Sequence, residues 1–429
     1  MTAGAGTPRP ERPGPVALDD LADPVFSDQI QPILDMMADL GAGLMLDPEA
    51  LMHDAVEATG LSDFGDGGFR RRLEVLCRAL RTEAGLSAVG TTTSYGLLSG
   101  LLKNRLLIED LCRRHPEILD VAIDRPIIIC GLPRTGTTHL HNLLSADPGL
   151  RSLPYWESLE PVLAESERPR PGEVDPRLAR TTMSVDLLNT AMPFFQRMHE
   201  MTVDHVHEEI QLLAIDFSTM LFETTALVPS WRDDYLSHDQ TPSYGYLKKI
   251  LQVMTWLRGG RRWVLKSPQH LEQFGPLART FPDATFVVTH RDPASVTVSL
   301  ATMVSYTARL SMAQVDPVAI SAYWSDRVEG MLRSCVQDRH LLPTDRSIDI
   351  TFDEFMADDV ATVERIYELA GLAMTPEIRQ AMDSFIVRHP RGRHGTISYD
   401  PESLGLDLSE RRRALSFYSD RFGVASEGP

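Results

Sequence analysis

Cysteine is scarce in this sequence: four in 429 residues, at positions 77, 112, 130 and 335, with no C-x-x-C pair. That spacing speaks against a disulfide framework or a zinc cluster and fits a reducing cytoplasm. Positive charge is also in the minority. Against 60 Asp and Glu stand 42 Lys and Arg, a formal charge of −18, which argues against nucleic acid or an anionic membrane as the default partner. Any anion site must therefore be built locally. Long hydrophobic runs are missing too. The opening MTAGAGTPRPERPGPV has no apolar signal-peptide core, and runs such as Ile127 to Cys130 are far too short to cross a bilayer, so neither secretion by that route nor a transmembrane segment is expected. Large apolar groups are rare in residues 1–24, where Pro, Gly and Ala dominate, and a disordered tail is expected there.

What is present is a 43% apolar chain able to bury a full core. Residues 25–120 carry apolar groups at helical spacing, as in Ile30, Ile33, Leu34 and Met37 and again in Leu73, Leu76 and Leu80, which predicts an N-terminal helical region. From about residue 121 to the end the pattern changes. Ile127 to Cys130 is a β-branched run closed by a glycine, and the short runs Trp263 to Leu265, Thr285 to Thr289 and Ser347 to Ile350 alternate with helical stretches such as Val360 to Leu372. That alternation predicts an α/β domain with a parallel sheet flanked by helices. There is no internal repeat. Glu165 to Pro176 and Arg388 to Gly395 read as exposed loops.

After Cys130 comes Gly131-Leu-Pro-Arg-Thr-Gly-Thr-Thr138, and His139, Leu140, Leu143 and Leu144 resume a helical pattern. Strand, glycine turn, helix is the order that cradles phosphate, with backbone amides and the positive helix start aimed at the anion. The G-x-x-x-x-G spacing is that of a P-loop, but an ATPase or kinase needs Lys and then Ser or Thr for Mg²⁺ at the next positions. This chain has Thr137 and Thr138 there, and its cation sits inside the loop as Arg134. The loop P-R-T-G-T-T closely resembles the 5′-phosphosulfate loop of sulfotransferases that use 3′-phosphoadenosine 5′-phosphosulfate (PAPS), and Arg125 to Trp156 resembles their bacterial branch. The resemblance implies a three-layer, P-loop-type core with PAPS as co-substrate and no metal, and binding of the 5′-phosphosulfate by Pro133, Arg134, Thr135, Gly136, Thr137 and Thr138.

A second anion site follows the strand Thr285 to His290. Arg291 stands at its carboxyl end, and Ser299 lies eight residues on, about two turns into the next helix, where its hydroxyl can share an anion with the guanidinium. In the family such an Arg and Ser pair binds the 3′-phosphate. Only a nucleotide with phosphates on both sides of adenosine needs two such sites. Near the C-terminus the loop containing Arg391, Arg393, His394 and Gly395 is similar to the glycine-basic lid of these enzymes, although its spacing departs from G-x-x-G-x-x-K.

Sulfuryl transfer needs a base for the acceptor proton and cations for the leaving phosphate oxygen. Glu157, beside Trp156 and soon after the first helix, is the expected base, with Glu160 as the alternative. Lys266 at the end of a strand is expected, through the resemblance, to contact the transferring group, and Arg134 to assist it. His199, His205 and His207 precede Glu208 and Glu209 on an expected helix, where His-x-His points its rings about 200° apart and disfavours a metal. His207 or His270 remains open as an acceptor contact or base. Met192, Phe194, Phe195, Phe217, Trp231 and Tyr235 are candidates for an acceptor pocket that takes a lipid, sterol or phenol. The rival readings are a small-molecule kinase using ATP and Mg²⁺ and a non-catalytic nucleotide-binding module; oligomerisation stays open.

Overall fold

The computed structural model describes residues 13–260 and 262–428. The helical region opens with α1 (Gln31–Gly41), α2 (Pro48–Thr59), α3 (Gly68–Thr82) and α4 (Ala88–Arg114). Its boundaries are set locally. Asp47 accepts from Glu49 N and Ala50 N at the start of α2, Pro48 presets the first turn, and Gly60 ends the helix at φ +68°. Ser87 caps α4 in the same way through Gly90 N.

The strands among the described residues are β1 (Val16–Ala17), β2 (Ile127–Cys130), β3 (Leu150–Arg151), β4 (Leu153–Pro154), β5 (Val206–His207), β6 (Arg262–Ser267), β7 (Thr285–His290), β8 (Ser347–Thr351) and β9 (Ile397–Ser398). Five of them form one sheet in the order β3-β6-β2-β7-β8, with every pairing parallel. β2, β6 and β7 are buried along their whole length, which is why they read as near-continuous apolar runs. Alternation along β2 divides the core. Ile127 and Ile129 pack with Leu140, Leu143, Leu144, Val363 and Ile366 on one face. Ile128 and Cys130 belong to the cluster on the other face, which runs on into Leu73, Leu76, Leu102 and Leu106 of α3 and α4. The result is the expected three-layer α/β core, and the helical region shares its larger core.

The chain leaves β2 towards β3 on one side of it and leaves β7 towards β8 on the other, so the direction of winding reverses between β2 and β7. The crevice beyond the carboxyl ends of β2, β6 and β7 is therefore the place where an open α/β sheet binds ligands.

Two local expectations change. Residues 1–12 of the expected tail lie outside the described residues, but from Pro13 onward the chain is held: β1 pairs with β9, Leu21 is buried, and Asp20 bridges Arg309 at 2.8 Å. Average composition hid these few anchoring groups. His205 and His207 lie not on a helix but at β5, which pairs antiparallel with β4, Leu153 opposite His207. The two rings consequently meet, with His205 Nε2 2.9 Å from His207 Nδ1.

Candidate active site

A cavity of about 710 Å³ opens at this crevice. The loop between β2 and α5 (Thr137–Ser145) forms its floor. Gly136, at φ +84°, occupies the N-cap of α5, and Arg134 adopts φ +70°, a conformation that costs a non-glycine residue energy and that the surrounding contacts hold in place. A Cβ on Gly131 would stand 1.9 Å from Thr289 Oγ1, so only glycine lets the loop pass β7 this closely. Pro133, Arg134, Gly136, Thr137 and Thr138 all line the cavity. Thr135 does not. Its hydroxyl is turned inward, donating to Leu132 O at 2.7 Å and lying 2.8 Å from Thr289 Oγ1, where it braces the loop.

The two anion-site candidates meet. Arg134 Nε donates to Ser299 Oγ at 3.1 Å, and Arg291 Nη1 donates to the Arg134 carbonyl at 2.5 Å. Ser299 sits on the helix Pro293–Ala308, whose N-cap is Asp292, and donates in turn to Tyr399 Oη at 2.8 Å. Arg291 stacks on Phe352, 4.0 Å from the ring centre. The C-terminal loop closes the cavity from above, with Arg391, Arg393, His394 and Gly395 all lining it. Arg391 donates to Asp359 Oδ2 at 3.2 Å, while Arg393 and His394 both reach Glu200. Burial works against ionisation of Glu200, yet the Arg393 and His394 contacts more than offset it and hold the carboxyl below its usual range.

Lys266, 2% exposed at the end of β6, points its ammonium at two lining residues. It donates to Thr138 Oγ1 at 3.3 Å and is ion-paired with Glu208 Oε1. The neighbouring Glu209 turns the other way. Its Oε2 accepts from the Lys266 backbone N–H at 2.7 Å and its Oε1 lies 2.5 Å from His270 Nε2, while His270 Nδ1 is 2.8 Å from Tyr244 Oη. Burial disfavours the Glu209 carboxylate, but the charge and hydrogen bond of His270 and the Lys266 N–H keep it below the usual carboxylate range. Consecutive carboxylates thus hold one lysine at both its side chain and its backbone.

Glu157 is not part of this arrangement. It is 1% exposed, absent from the cavity wall, and accepts from Arg151 Nη2 at 3.0 and 3.1 Å, with Arg258 Nη1 at 3.5 Å. The Trp156 ring carries Arg177 and Arg258, each 4.5 Å from its centre. Glu160 pairs with Arg180 at 2.6 Å, again outside the cavity. Distance along the chain misled here, because α6 (Tyr155–Leu159) follows β3 at the sheet edge, away from the carboxyl ends of the central strands. His270 is fully buried behind Glu209 and does not reach the cavity. None of the six candidate apolar residues lines it either; Met198, Met303, Phe352, Met356 and Phe385 do.

Glu208 was missed as a candidate. Its local signal was two glutamates directly after His-x-His, and nothing in that stretch indicates which carboxylate faces the cavity. His199 and His205 line the cavity beside it, with His207 behind. Burial first, then the neighbouring positive groups, pushes His199 down to about 3 and His207 well below its ordinary value. Among the described residues no group of histidines, cysteines and carboxylates has the arrangement of a metal site.

Residues 126–376 match the family model described as "Sulfotransferase family". The chain is 24% identical over 284 residues to the omega-hydroxy-beta-dihydromenaquinone-9 sulfotransferase Stf3 of Mycobacterium bovis, covering 61% of this chain and 67% of that protein. Among solved structures, sulfotransferase STF1 of Mycobacterium tuberculosis aligns with a TM-score of 0.75 at 31% identity over 86% of this chain and 98% of that one. Sulfotransferase STF9 of Mycobacterium avium aligns at 0.79 with 26% identity, over 89% and 98% respectively. With the match spanning all five strands of the parallel sheet, and with basic loops converging at the sheet's carboxyl edge, the chain belongs to the sulfotransferase family and is a sulfotransferase.

Proposed function

We propose that the enzyme moves the sulfuryl group of PAPS to a hydroxyl of a small acceptor and releases 3′-phosphoadenosine 5′-phosphate. The observation that carries this reading is the contact of Arg134 with both Ser299 and Arg291, which joins two basic sites, one from the β2 loop and one from the end of β7, in one cavity. The glycine cradle at Gly131 and Gly136 at the start of α5 fits a phosphate at the first site. Arg291 and Ser299 take the 3′-phosphate, and the Arg391 to Gly395 loop covers the nucleotide.

PAPS supplies the sulfuryl group and a phosphate leaving group. Glu208 takes the acceptor's proton as the acceptor oxygen bonds to sulfur, and the sulfur–oxygen bond to the 5′-phosphate breaks with its electron pair left on the phosphate. Lys266, released from Glu208 as that carboxyl is protonated, donates to the oxygen where charge develops, with Thr138 beside it and Arg134 as the second cation. Glu208 therefore replaces Glu157 as the proposed base. Met198 and Met303 support an acceptor with an apolar portion, in keeping with the lipid alcohol in the name of the Mycobacterium bovis relative. Four free, buried cysteines support a cytoplasmic setting. Among the described residues no helix is long and apolar enough to cross a membrane.

The test is thermal unfolding with 3′-phosphoadenosine 5′-phosphate against ATP with Mg²⁺. A bisphosphate at about 100 times its Kd adds roughly 2.7 kcal/mol. Stabilisation by the bisphosphate that is lost in R134A and R291A supports the reading; stabilisation by ATP and Mg²⁺ alone sinks it.

A further inference from the structure

Arg291 does not stand free in the cavity wall. Its Nη2 donates to Glu427 Oε2 at 2.8 Å and its Nε to Oε1, two parallel bonds from one guanidinium fork to one carboxylate. The backbone of Glu427 is held as well. Its N–H donates to Asp292 Oδ2 at 3.0 Å, and its carbonyl accepts from Arg412 Nη2 at 2.6 Å. Asp292 is 3% exposed and fixed by its cap bond to Ala294 N, so Glu427 is secured from the end of β7 and from the helix Leu408–Ala414 at once.

The segment that carries Glu427 lies beyond the last helix. It leaves that helix, Ser416–Phe422, at Gly423 with φ +65°, and residues 424–428 form no helix or strand. The Arg291–Glu427 pair is partly exposed, at 23% and 29%, so its net strength is modest and a better anion can displace it. A carboxylate and a phosphate offer the arginine fork the same paired oxygen acceptors, and the phosphate brings more charge.

We propose that Glu427 occupies the place of the nucleotide's 3′-phosphate on Arg291, so that residues 424–428 form a strap which the nucleotide displaces on binding. This rests on the reading of Arg291 as the 3′-phosphate ligand. The strap lowers apparent affinity by the fraction of molecules in which it is closed, and it does so selectively for ligands that carry a 3′-phosphate.

Calorimetric titration of wild type, E427Q, E427A and R291A with 3′-phosphoadenosine 5′-phosphate and with adenosine 5′-phosphate tests the strap. E57Q, on the exposed side of α2, controls for the loss of one negative charge. Both Glu427 variants are expected to bind the bisphosphate roughly two- to fivefold more tightly, with the monophosphate unchanged and E57Q like wild type. Unchanged or weaker bisphosphate binding in E427Q and E427A overturns the strap, as does an equal gain for both nucleotides or a gain matched by E57Q. If instead R291A keeps the full preference for bisphosphate over monophosphate, it is the assignment of Arg291 that fails, whatever Glu427 does.

Discussion

Two carboxylates separate chemistry from architecture at the level of single residues. Glu208 faces the cavity against Lys266, whereas Glu157 is sealed against Arg151 and Arg258. E208Q is expected to lower kcat by roughly 10²- to 10⁴-fold with little change in nucleotide Kd. E157Q should leave turnover of the folded enzyme near wild type while costing about 1–3 kcal/mol in chemical denaturation, because it weakens the partner of a largely buried arginine. A loss of kcat in E157Q alone would reverse the assignment. The histidines set a second expectation. Burial pushes His141 and His199 down to about 3, so between there and the unfolded value near 6.5 the unfolded chain binds protons that the native state does not. Stability is therefore fully present above about pH 6.5 and declines as pH falls towards 3. H141Q should flatten the slope of unfolding free energy between about pH 5 and 6.5, above the range in which Asp349, held at about 2, gives up its own contribution.

At the scale of elements, the phosphate cradle depends on how closely the β2–α5 loop passes β7. G131A places a methyl where Thr289 Oγ1 stands, and the loop must shift or β7 must yield. The expected result is about 1–3 kcal/mol of destabilisation together with a loss of the thermal response to 3′-phosphoadenosine 5′-phosphate. A G131A protein that retains both would show that the loop tolerates displacement. These elements were legible in advance because each is specified locally: β2 by three isoleucines, the loop by its glycines, and the following helix of β7 by Asp292 and Pro293. β5 was not. Two residues long and without an apolar run of its own, it exists through pairing with β4, and no periodicity announces such a strand.

Across the whole molecule, segments near both ends of the described residues pack on the active-site side. β1 pairs with β9, directly after the Arg391 to Gly395 loop, and Asp20 satisfies the nearly buried Arg309 through bonds of 2.8 and 3.1 Å. D20A is expected to cost about 1–3 kcal/mol by leaving that guanidinium unpaired, read as a lower denaturation midpoint with an unchanged m-value. No loss would return this segment to the role of a mobile tail. The net charge of −18 and the cavity with Arg134, Arg291, Arg391 and Arg393 in its wall coexist because the basic groups are gathered by tertiary folding from β2, β7 and the C-terminal loop.

By itself the sequence determined the strand runs, the glycine loop, the helix caps and the presence of two basic sites, because backbone conformation and solvation act over a few residues at a time. The tertiary structure alone decided which carboxylate meets Lys266, that Arg134 bridges the two sites, and that Glu427 lies on Arg291. Those are contacts between groups 58, 157 to 165 and 136 residues apart, and their geometry follows from strand order and packing, which no local pattern encodes.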